Sequence, residues 1–306
     1  MNTLHALEVV PTGAALGAEI RGVDLVSAVP DAVAQALREA WYEHLVLLFR
    51  GQDMSDDAIM RTSGIFGGSQ TTSAHSYFDR QPATYNPHRV EGYPEILAVT
   101  NLDANGNPTL DNGGLGSHEV VWHSDNSYNE VPPAGSLLYA IEIPFGGGGN
   151  TLFNNQYLAY RTLPVELKET IEGLHQVHDS SRNSAGVLRP GLSAPERPED
   201  IRGPSHPLVR VHPHTGRRAL YLGRRRAWPS SYVEGLSNDE SEALLDALWA
   251  HATRPELAWE HVWREGDAVL WDNRCAMHYR TPIDPSRRRV MHRIQIAGEP
   301  VVAPWA

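Results

Sequence analysis

Apolar runs of strand length recur along the chain, separated by turns rich in glycine, proline and asparagine. The run LVLLF, which begins at Leu45, is wholly apolar and predicts a short strand buried on both faces. Further strands are predicted at EILAVTNL, AGSLLYAIEI, HPLVRVHP, RALYLG, DAVLWDN and RRVMHRIQIAG. Many short strands with turn signals between them favour an antiparallel sandwich or barrel.

Helical spacing of apolar residues is confined to a few segments. DAVAQALREAWYEH predicts a helix that Asp31 caps, and SDDAIMRTSGIFG predicts one that begins at Ser55. PVELKETIEGL predicts a third, and SNDESEALLDALWAHAT is the clearest helix in the chain. Few helices among many strands predict a mainly β protein with flanking helices on one outer face of the sheets.

Two long segments carry no regular pattern. Residues 69–118 are rich in Gly, Pro, Asn, Ser and Tyr, which is typical of a lid or binding loop. A second loop-rich segment spans about 180–206. Both segments lie inside the chain, so we expect a single domain over residues 1–306 with loop insertions at about 69–118 and 180–206.

Composition narrows the class of protein. The 306 residues are 41% hydrophobic and 21% charged, as in ordinary globular proteins. A net charge of −11 is unfavourable for binding nucleic acid or anionic membranes. The single cysteine, Cys275, excludes an intramolecular disulfide and is expected to be a packed thiol. Because no signal peptide and no apolar run of about 18 residues is visible, we expect a cytoplasmic protein.

Candidate chemistry begins in the stretch VVWHSDNSY, at residues 120–128. In a β-strand, His123 and Asp125 would point to the same face, because side chains alternate. His278 lies far downstream, in AVLWDNRCAMHYR, and is expected just past another strand. Two histidines and one carboxylate can form the facial triad of non-haem Fe(II) oxygenases. Among 15 histidines, however, this pattern is weak by itself.

Three further residues strengthen the pattern. Thr151 begins a predicted strand after the glycine run GGGGN, and Arg289 lies eleven residues after His278. Arg293 follows four residues later, on the same face of a strand as Arg289, whereas Arg288 would point outward. A buried arginine with a hydroxyl partner is suited to hold a carboxylate. The glycine run lacks the Lys-Ser/Thr of a phosphate-binding loop.

Several separate blocks of the chain, in the same order, resemble the taurine dioxygenase family of Fe(II)/2-oxoglutarate-dependent oxygenases, with its 2,4-dichlorophenoxyacetate and alkylsulfatase branches. The blocks include PTGAALGAEIRGVDL, HLVLLFRGQ, WHSDNSYNEVPPAGSLLYAIEIP, GGNTLFNN, WREGDAVLWDNRCAMHYR and RRRVMHRIQIAGEP. The resemblance covers nearly the whole chain. It implies a double-stranded β-helix (jelly-roll) core with the iron between the two sheets.

The resemblance also implies roles for individual residues. Three positions would bind Fe(II): His123, Asp125 and His278. Thr151 and Arg289 would hold the distal carboxylate of 2-oxoglutarate, and Arg293 would lie near its C1 carboxylate or reach an acidic group on the substrate. Trp122 and Trp271 would pack beside the ligands. With O₂ as the second cosubstrate, the reaction would hydroxylate an unactivated C–H bond of a small acidic molecule, giving succinate and CO₂. Halogenases of this architecture lack the metal-binding carboxylate, so the presence of Asp125 favours hydroxylation.

The substrate-binding positions depart from the taurine enzyme. Where that enzyme has a histidine for the sulfonate, this chain has Thr72, with His75 and Tyr77 close by. Asn126 replaces a small apolar residue, and Ser180 replaces an aromatic one. We therefore expect a substrate other than taurine and a roomier, more polar pocket. The candidate substrate contacts are Thr72, His75, Tyr77, Asn126, Ser180, Arg182 and Arg293.

Alternatives remain open at this point. A zinc-dependent hydrolase can use the same three ligands, although it needs a general base and leaves Thr151 and Arg289 unexplained. A non-catalytic β-sandwich binding module would be expected to lack a ligand, and no G-x-S-x-G motif supports a serine hydrolase. Within the oxygenase hypothesis, desaturation or C–heteroatom cleavage is an alternative outcome. The resemblance implies a homo-oligomer with a small-molecule substrate and neither nucleic acid nor membrane as partner.

The arginine cluster at 224–226 and Arg182 are further candidates for binding an acidic group. The cluster Arg224-Arg225-Arg226 lies in the segment GRRRAW. It is interpreted either as a solvated turn or as an anion-recognising rim. Arg182, in HDSSRNS, is a similar candidate for binding an acidic group.

Overall fold

A computed structural model of the chain describes residues 7–71, 88–223, 225 and 227–305. The strands in chain order are β1 (Glu8–Pro11), β2 (Ala18–Arg21), β3 (Val46–Phe49), β4 (Ser69–Gln70), β5 (Ile96–Thr100), β6 (Val120–His123), β7 (Gly135–Glu142), β8 (Thr151–Asn155), β9 (His175–Val177), β10 (Ser205–Pro207), β11 (Val209–Val211), β12 (Arg218–Leu220), β13 (Tyr232–Val233), β14 (Ala258–His261), β15 (Ala268–Asp272), β16 (Ala276–Arg280) and β17 (Val290–Ile296). The helices are α1 (Asp31–His44), α2 (Asp56–Ile65), α3 (Gln156–Thr162), α4 (Val165–Ile171) and α5 (Asn238–Ala252). The mainly β composition expected from the sequence is confirmed.

Helix ends follow local capping chemistry in two of three predicted cases. Ser55 Oγ accepts the backbone N–H of Ala58 at the start of α2. Ser237 and Glu240 form a reciprocal capping box at the start of α5. The predicted cap of α1 is wrong, because Asp31 is already in the first helical turn and no side chain caps that helix. There the carboxylate lies at the positive end of the helix dipole instead.

Two sheets form the centre of the protein. Within the described residues, the larger sheet has the order β1-β2-β3-β15-β7-β17-β4, with β5 also paired to β17. The smaller sheet has the order β14-β8-β16-β6 and is antiparallel throughout. Apolar side chains from both sheets pack together, among them Leu138 and Trp271 of the larger sheet and Phe153 of the smaller one. This arrangement confirms the jelly-roll core.

Helices cover the outer faces of both sheets. On the larger sheet, Leu47 and Leu270 pack against Trp41 of α1 and Ile59 of α2. On the smaller sheet, Met277 of β16 belongs to an apolar cluster that includes residues of α3 and α5. The expectation of helices on one outer face is therefore wrong, because each sheet has an apolar outer surface that must be shielded from water. No helix in the described ranges is long and apolar enough to cross a membrane.

The two predicted insertions contain some regular structure. In the first, β4 and β5 both pair with β17, which anchors the start and the middle of the segment to the larger sheet. Residues 72–87 lie outside the described residues. In the second, Arg182 and Leu188 form an isolated bridge, and a short 3-10 turn covers Pro198–Asp200.

Candidate metal and cosubstrate site

Three candidate ligands meet on the inner face of the smaller sheet. His123 is the last residue of β6 and pairs directly with His278 of β16, so their ring centroids lie 4.1 Å apart. His278 thus lies past β15, as expected, and is itself inside the next strand, β16. Asp125 Oδ1 lies 3.6 Å from Nε2 of His123 and 3.9 Å from Nε2 of His278.

The predicted strand through residues 120–128 is wrong beyond His123. β6 ends at His123, and Asp125 lies in the turn that follows. Asn126 has a φ of 48°, in the left-handed region that asparagine tolerates better than most residues. Asp125 approaches His123 because the chain turns back, and not because both residues share one face of a strand.

The donor set fits a divalent metal ion. The ligand atoms of His123, Asp125 and His278 all lie within 4.8 Å of one another, and all three residues are buried. Nδ1 of His123 is 2.7 Å from the carbonyl oxygen of Val121. A carbonyl can only accept, so Nδ1 carries the proton and the Nε2 lone pair is available to a metal. Two nitrogens and one carboxylate oxygen suit the facial triad of a non-haem iron site.

The Asp125 carboxylate is held by two further side chains. Ser136 Oγ donates to Oδ2 at 2.7 Å, and Arg293 Nη1 donates to Oδ1 at 3.1 Å. Burial by itself raises the pKa of Asp125, but Arg293 and the two imidazoles outweigh burial and hold this pKa well below its usual range. Ser136 was missed by the sequence analysis, although alternation along β7 places it on the same face as the core residue Leu138.

A buried arginine stands near this donor set. Arg289 is 1% exposed, and its Nη2 donates to the Gly149 carbonyl oxygen at 3.4 Å. Among the described residues, Arg289 forms no ion pair with a carboxylate, and its Nε has no hydrogen-bond partner. Burial, followed by the charge of nearby Arg280, lowers the pKa of Arg289 well below its usual range. A buried guanidinium without a counterion is costly unless an anion binds to it.

Thr151 lies in the strand that pairs with β16. It pairs with Arg280 in the register of β8 and β16. Its Oγ1 accepts the indole N–H of Trp263 at 2.9 Å, so the hydroxyl proton remains available to an acceptor. Thr151, Arg280 and Arg289 line the same cavity as the three candidate metal ligands. Arg280 was missed by the sequence analysis, although it follows His278 by two residues in a strand and therefore shares its face.

Gly149 of the glycine run lies against the side chain of Arg289. A side chain at Gly149, which has a φ of 80°, would place its Cβ 3.1 Å from Nε of Arg289. This close approach explains a glycine at position 149 without a phosphate-binding role. The predicted orientation of the neighbouring arginines holds, because Arg288 is exposed and pairs with Glu142 while Arg289 is buried.

Only some of the candidate substrate residues are found at the cavity. Thr72, His75 and Tyr77 lie outside the described residues. Asn126 lines the cavity, and its side chain bonds to Gln295 and to the hydroxyl of Tyr128. Arg293 lines it too and is bonded to Asp125.

Ser180 and Arg182 are not brought to the cavity, so these two expectations are corrected. The Ser180 hydroxyl donates to the Arg202 carbonyl oxygen at 2.7 Å, and Arg182 Nη1 donates to that of Gly186 at 3.1 Å. The same insertion lines the cavity with other residues, namely Asn183, Ser184, Leu188, Arg189 and Pro190. The sequence analysis could not identify these residues, because the insertion has neither strand nor helix periodicity there.

The two tryptophans beside the ligands face opposite sides of the smaller sheet. Trp271 is buried, lines the cavity and packs 4.7 Å from the His278 ring. Trp122 packs against Tyr279, with ring centroids 5.6 Å apart, and contacts the outer apolar cluster. Cys275 is buried, and burial raises the pKa of its thiol well above the usual range, as expected for a packed cysteine.

The arginine cluster at 224–226 is described only at Arg225. Its guanidinium forms ion pairs with Glu242 and Asp246 of α5. These contacts favour the surface-turn interpretation over an anion-recognising rim at this residue. Arg224 and Arg226 lie outside the described residues.

A second buried group of potential ligands, His212, Asp272 and Cys275, is fully used within the protein. Both oxygens of Asp272 accept from Arg274, and Oδ2 lies 3.0 Å from His212 Nε2. His212 Nδ1 accepts backbone N–H groups, so Nε2 carries the proton that Asp272 accepts. These contacts leave no imidazole lone pair for a metal, and the group is a structural network.

Known proteins match the chain over almost its full length. The model of the family "Taurine catabolism dioxygenase TauD, TfdA family" matches residues 8–295. The alpha-ketoglutarate-dependent sulfate ester dioxygenase of Pseudomonas putida is 31% identical, over 96% of this chain and 91% of that protein. The (S)-phenoxypropionate/alpha-ketoglutarate-dioxygenase of Sphingobium herbicidovorans is 30% identical, over 96% of both chains. The crystal structure of AAD-2 in complex with Mn(II) and N-oxalylglycine superimposes with a TM-score of 0.78 and 29% identity, covering 98% of this chain and 100% of that chain.

Proposed function

The chain belongs to the taurine catabolism dioxygenase TauD, TfdA family, and from this premise we propose a role for each residue of its cavity. The protein is a 2-oxoglutarate-dependent non-haem iron dioxygenase that acts on a small molecule. Its bound Fe(II), with 2-oxoglutarate and O₂, supplies the oxidising chemistry that converts 2-oxoglutarate to succinate and CO₂ and oxidises a C–H bond of the substrate.

We propose that His123, Asp125 and His278 hold the Fe(II). Their ligand atoms converge on one point, and a buried, anionic Asp125 compensates part of the metal charge. Ser136 orients the carboxylate, because it donates to the oxygen that faces away from the imidazoles.

The 2-oxoglutarate is proposed to bind with its distal carboxylate on Arg289 and the hydroxyl of Thr151. The observation that carries this proposal is the buried guanidinium of Arg289, which has no acidic partner among the described residues and shares a cavity with the three metal ligands. A dianion with one end on a metal and the other on this guanidinium would compensate the buried charge. Arg293, which donates to Asp125 Oδ1, is proposed to lie near the C1 carboxylate or to reach an acidic group on the substrate.

The substrate is proposed to be a small organic acid with an apolar body. Apolar side chains form much of the remaining cavity wall, among them Leu97, Val99 and Leu188. Arg189 is buried in this wall and its guanidinium lies 3.8 Å from the centroid of the Tyr128 ring. A cation held over an aromatic ring is well placed to recognise the acidic group. Hydroxylation of a C–H bond in the apolar body is the proposed outcome.

Replacement of Arg189 by glutamine is expected to raise the KM for such an acid by about 10- to 100-fold, because one charged hydrogen bond is lost. The matched control is Arg202→Gln, which removes an exposed arginine from the same insertion. Steady-state kinetics measured with each variant separate the two effects. Equal KM values for Arg189→Gln and the unaltered enzyme would contradict the role of Arg189.

The proposed activity is tested by measuring succinate released from 2-oxoglutarate in air with added Fe(II). Small carboxylic, sulfonic and sulfate-ester compounds with aromatic or branched apolar bodies form the panel, and taurine is the comparison compound. Acceleration of succinate release by such an acid, with a hydroxylated product or a fragment derived from it, supports the proposal. Turnover that only taurine accelerates would contradict the proposed substrate class.

Three further expectations from the sequence are parts of the same proposal. Residues 1–306 are proposed to act as one catalytic domain, since strands β3, β7 and β15 contribute to apolar clusters on both faces of the larger sheet. We also propose that the protein is a homo-oligomer and that it is located in the cytoplasm.

A further inference from the structure

Arg280 is a buried arginine in this cavity to which neither the family resemblance nor the proposed function assigns a role. It is the last residue of β16, two residues after His278, and it is 5% exposed. In the register of the smaller sheet it lies directly opposite Thr151. It lines the cavity together with Thr151 and Arg289.

The contacts of Arg280 leave its charge without a counterion. Its Nη2 donates to the carbonyl oxygens of Leu115, Gly116 and His118, with 3.0 Å to that of Gly116. Among the residues that the structure describes, it forms no ion pair with a carboxylate, and its Nε has no hydrogen-bond partner. The carbonyl oxygens neutralise only part of a full charge, so Arg280 retains a strong field directed at the cavity.

Two like charges are thus buried at one cavity. Arg280 and Arg289 both line it, and burial together with the charge of Arg280 lowers the pKa of Arg289. Each guanidinium destabilises the other in the absence of an anion, because water screens neither of them well at this depth. A carboxylate bound between them would offset much of their mutual repulsion, because its two oxygens can accept hydrogen bonds from both guanidinium groups.

We propose that Arg280 is a second cationic binding residue for the distal carboxylate of 2-oxoglutarate, acting with Arg289 and Thr151. This inference rests on the proposed function of the cavity. It assigns to Arg280 the selection of dianionic 2-oxo acids over 2-oxo acids that lack a distal carboxylate. The carbonyl oxygens of residues 115–118 hold the guanidinium in place for that contact.

A purely structural role makes a different prediction. If Arg280 only fastens the loop at residues 115–118, its loss would loosen the cavity for every 2-oxo acid alike. If it contacts the distal carboxylate, its loss would weaken only ligands that carry this group. Comparing 2-oxoglutarate with 2-oxovalerate, whose chain has the same length and no distal carboxylate, separates the two roles.

The experiment is anaerobic calorimetry of the Fe(II)-loaded protein with each of these two ligands. We expect Arg280→Gln to raise the Kd for 2-oxoglutarate by about 10- to 100-fold, the loss of one charge-assisted hydrogen bond, and to leave the Kd for 2-oxovalerate unchanged. Arg288→Gln is the matched control, because it removes an arginine of the same charge that points outward and pairs with Glu142. It should change neither Kd.

The outcomes separate this inference from the function on which it rests. An unaltered protein that fails to bind 2-oxoglutarate overturns both. Binding by the unaltered protein with an unchanged Kd in Arg280→Gln overturns only the role of Arg280, as does an equal loss for both ligands. If Arg280→Gln does not fold, the same titrations are made with Arg280→Lys, which keeps the positive charge but lacks the planar guanidinium. It is expected to weaken 2-oxoglutarate alone by a smaller factor, and equal or absent effects on the two ligands overturn the inference.

Discussion

His123→Ala is expected to lower 2-oxoglutarate turnover by about 10³-fold or more, a loss of about 4 kcal/mol of transition-state stabilisation. His123 supplies one of three protein ligands, and its Nε2 lies 3.6 Å from Asp125 Oδ1. Without this imidazole, two ligands remain and the metal affinity falls steeply. The measurement is succinate formation at saturating Fe(II), together with the iron content of the purified variant.

The fold should survive this substitution. His123 is the last residue of β6 and faces a cavity, so its removal leaves the packing between the two sheets largely intact. His175→Ala is the matched control, because His175 lies in β9, outside the cavity, and its ring contacts the Gly173 carbonyl oxygen and Trp305 rather than the candidate metal ligands. A His123→Ala variant that retains iron and turns over at the control rate would contradict the metal assignment.

Arg289→Gln is expected to raise the KM for 2-oxoglutarate by about 30-fold or more, since loss of one partner of a buried charge pair costs about 2–5 kcal/mol. Arg289 is 1% exposed, so solvent cannot replace the lost donor well. At saturating 2-oxoglutarate, kcat should fall much less, because the metal and its three ligands are unchanged. Steady-state kinetics with varied 2-oxoglutarate measure the two parameters separately.

Arg288→Gln again provides the control for Arg289. The two arginines are adjacent in sequence, but Arg288 is exposed and pairs with Glu142. An exposed pair of this kind contributes little, so its loss should leave both kinetic parameters near those of the unaltered enzyme. Equal KM values for Arg289→Gln and Arg288→Gln would show that the distal carboxylate binds elsewhere.

The strand pattern and the facing of side chains were predictable from the sequence. Alternation predicted a buried Arg289 beside an exposed Arg288, and this holds although both residues lie directly before β17, which begins at Val290. The same rule failed at Asp125, because β6 ends at His123 and the next residues form a turn. The carboxylate still reaches His123 because the chain turns back directly after β6.

Contacts between distant segments were not predictable in this way. The position of Arg280 opposite Thr151 depends on the register of β16 against β8, which local sequence does not encode. Ser136 likewise reaches Asp125 only because β7 belongs to the sheet that faces the metal ligands. Arg189 comes from an insertion without periodicity, so its place in the cavity wall follows from tertiary packing.

The contacts of Asn126 and Ser180 are the reason why we propose a substrate other than taurine. Asn126 is committed to Gln295 and Tyr128, and Ser180 is turned toward Arg202, so neither is free for a small sulfonate. Tyr128 in turn supports Arg189. In the proposed assignment, the insertion that carries Arg189 contributes the substrate-facing side of the cavity, and the two sheets contribute the metal and cosubstrate side.

The most direct test of the central claim is anaerobic. Fe(II) and then 2-oxoglutarate are added to the metal-free protein, and the visible spectrum is recorded for the weak charge-transfer band of a chelated Fe(II)–2-oxoglutarate complex. We predict that the band appears in the unaltered protein and is absent in His123→Ala. No band in the unaltered protein, combined with tight binding of Zn(II), would contradict the dioxygenase assignment of this cavity and favour a zinc-dependent hydrolase.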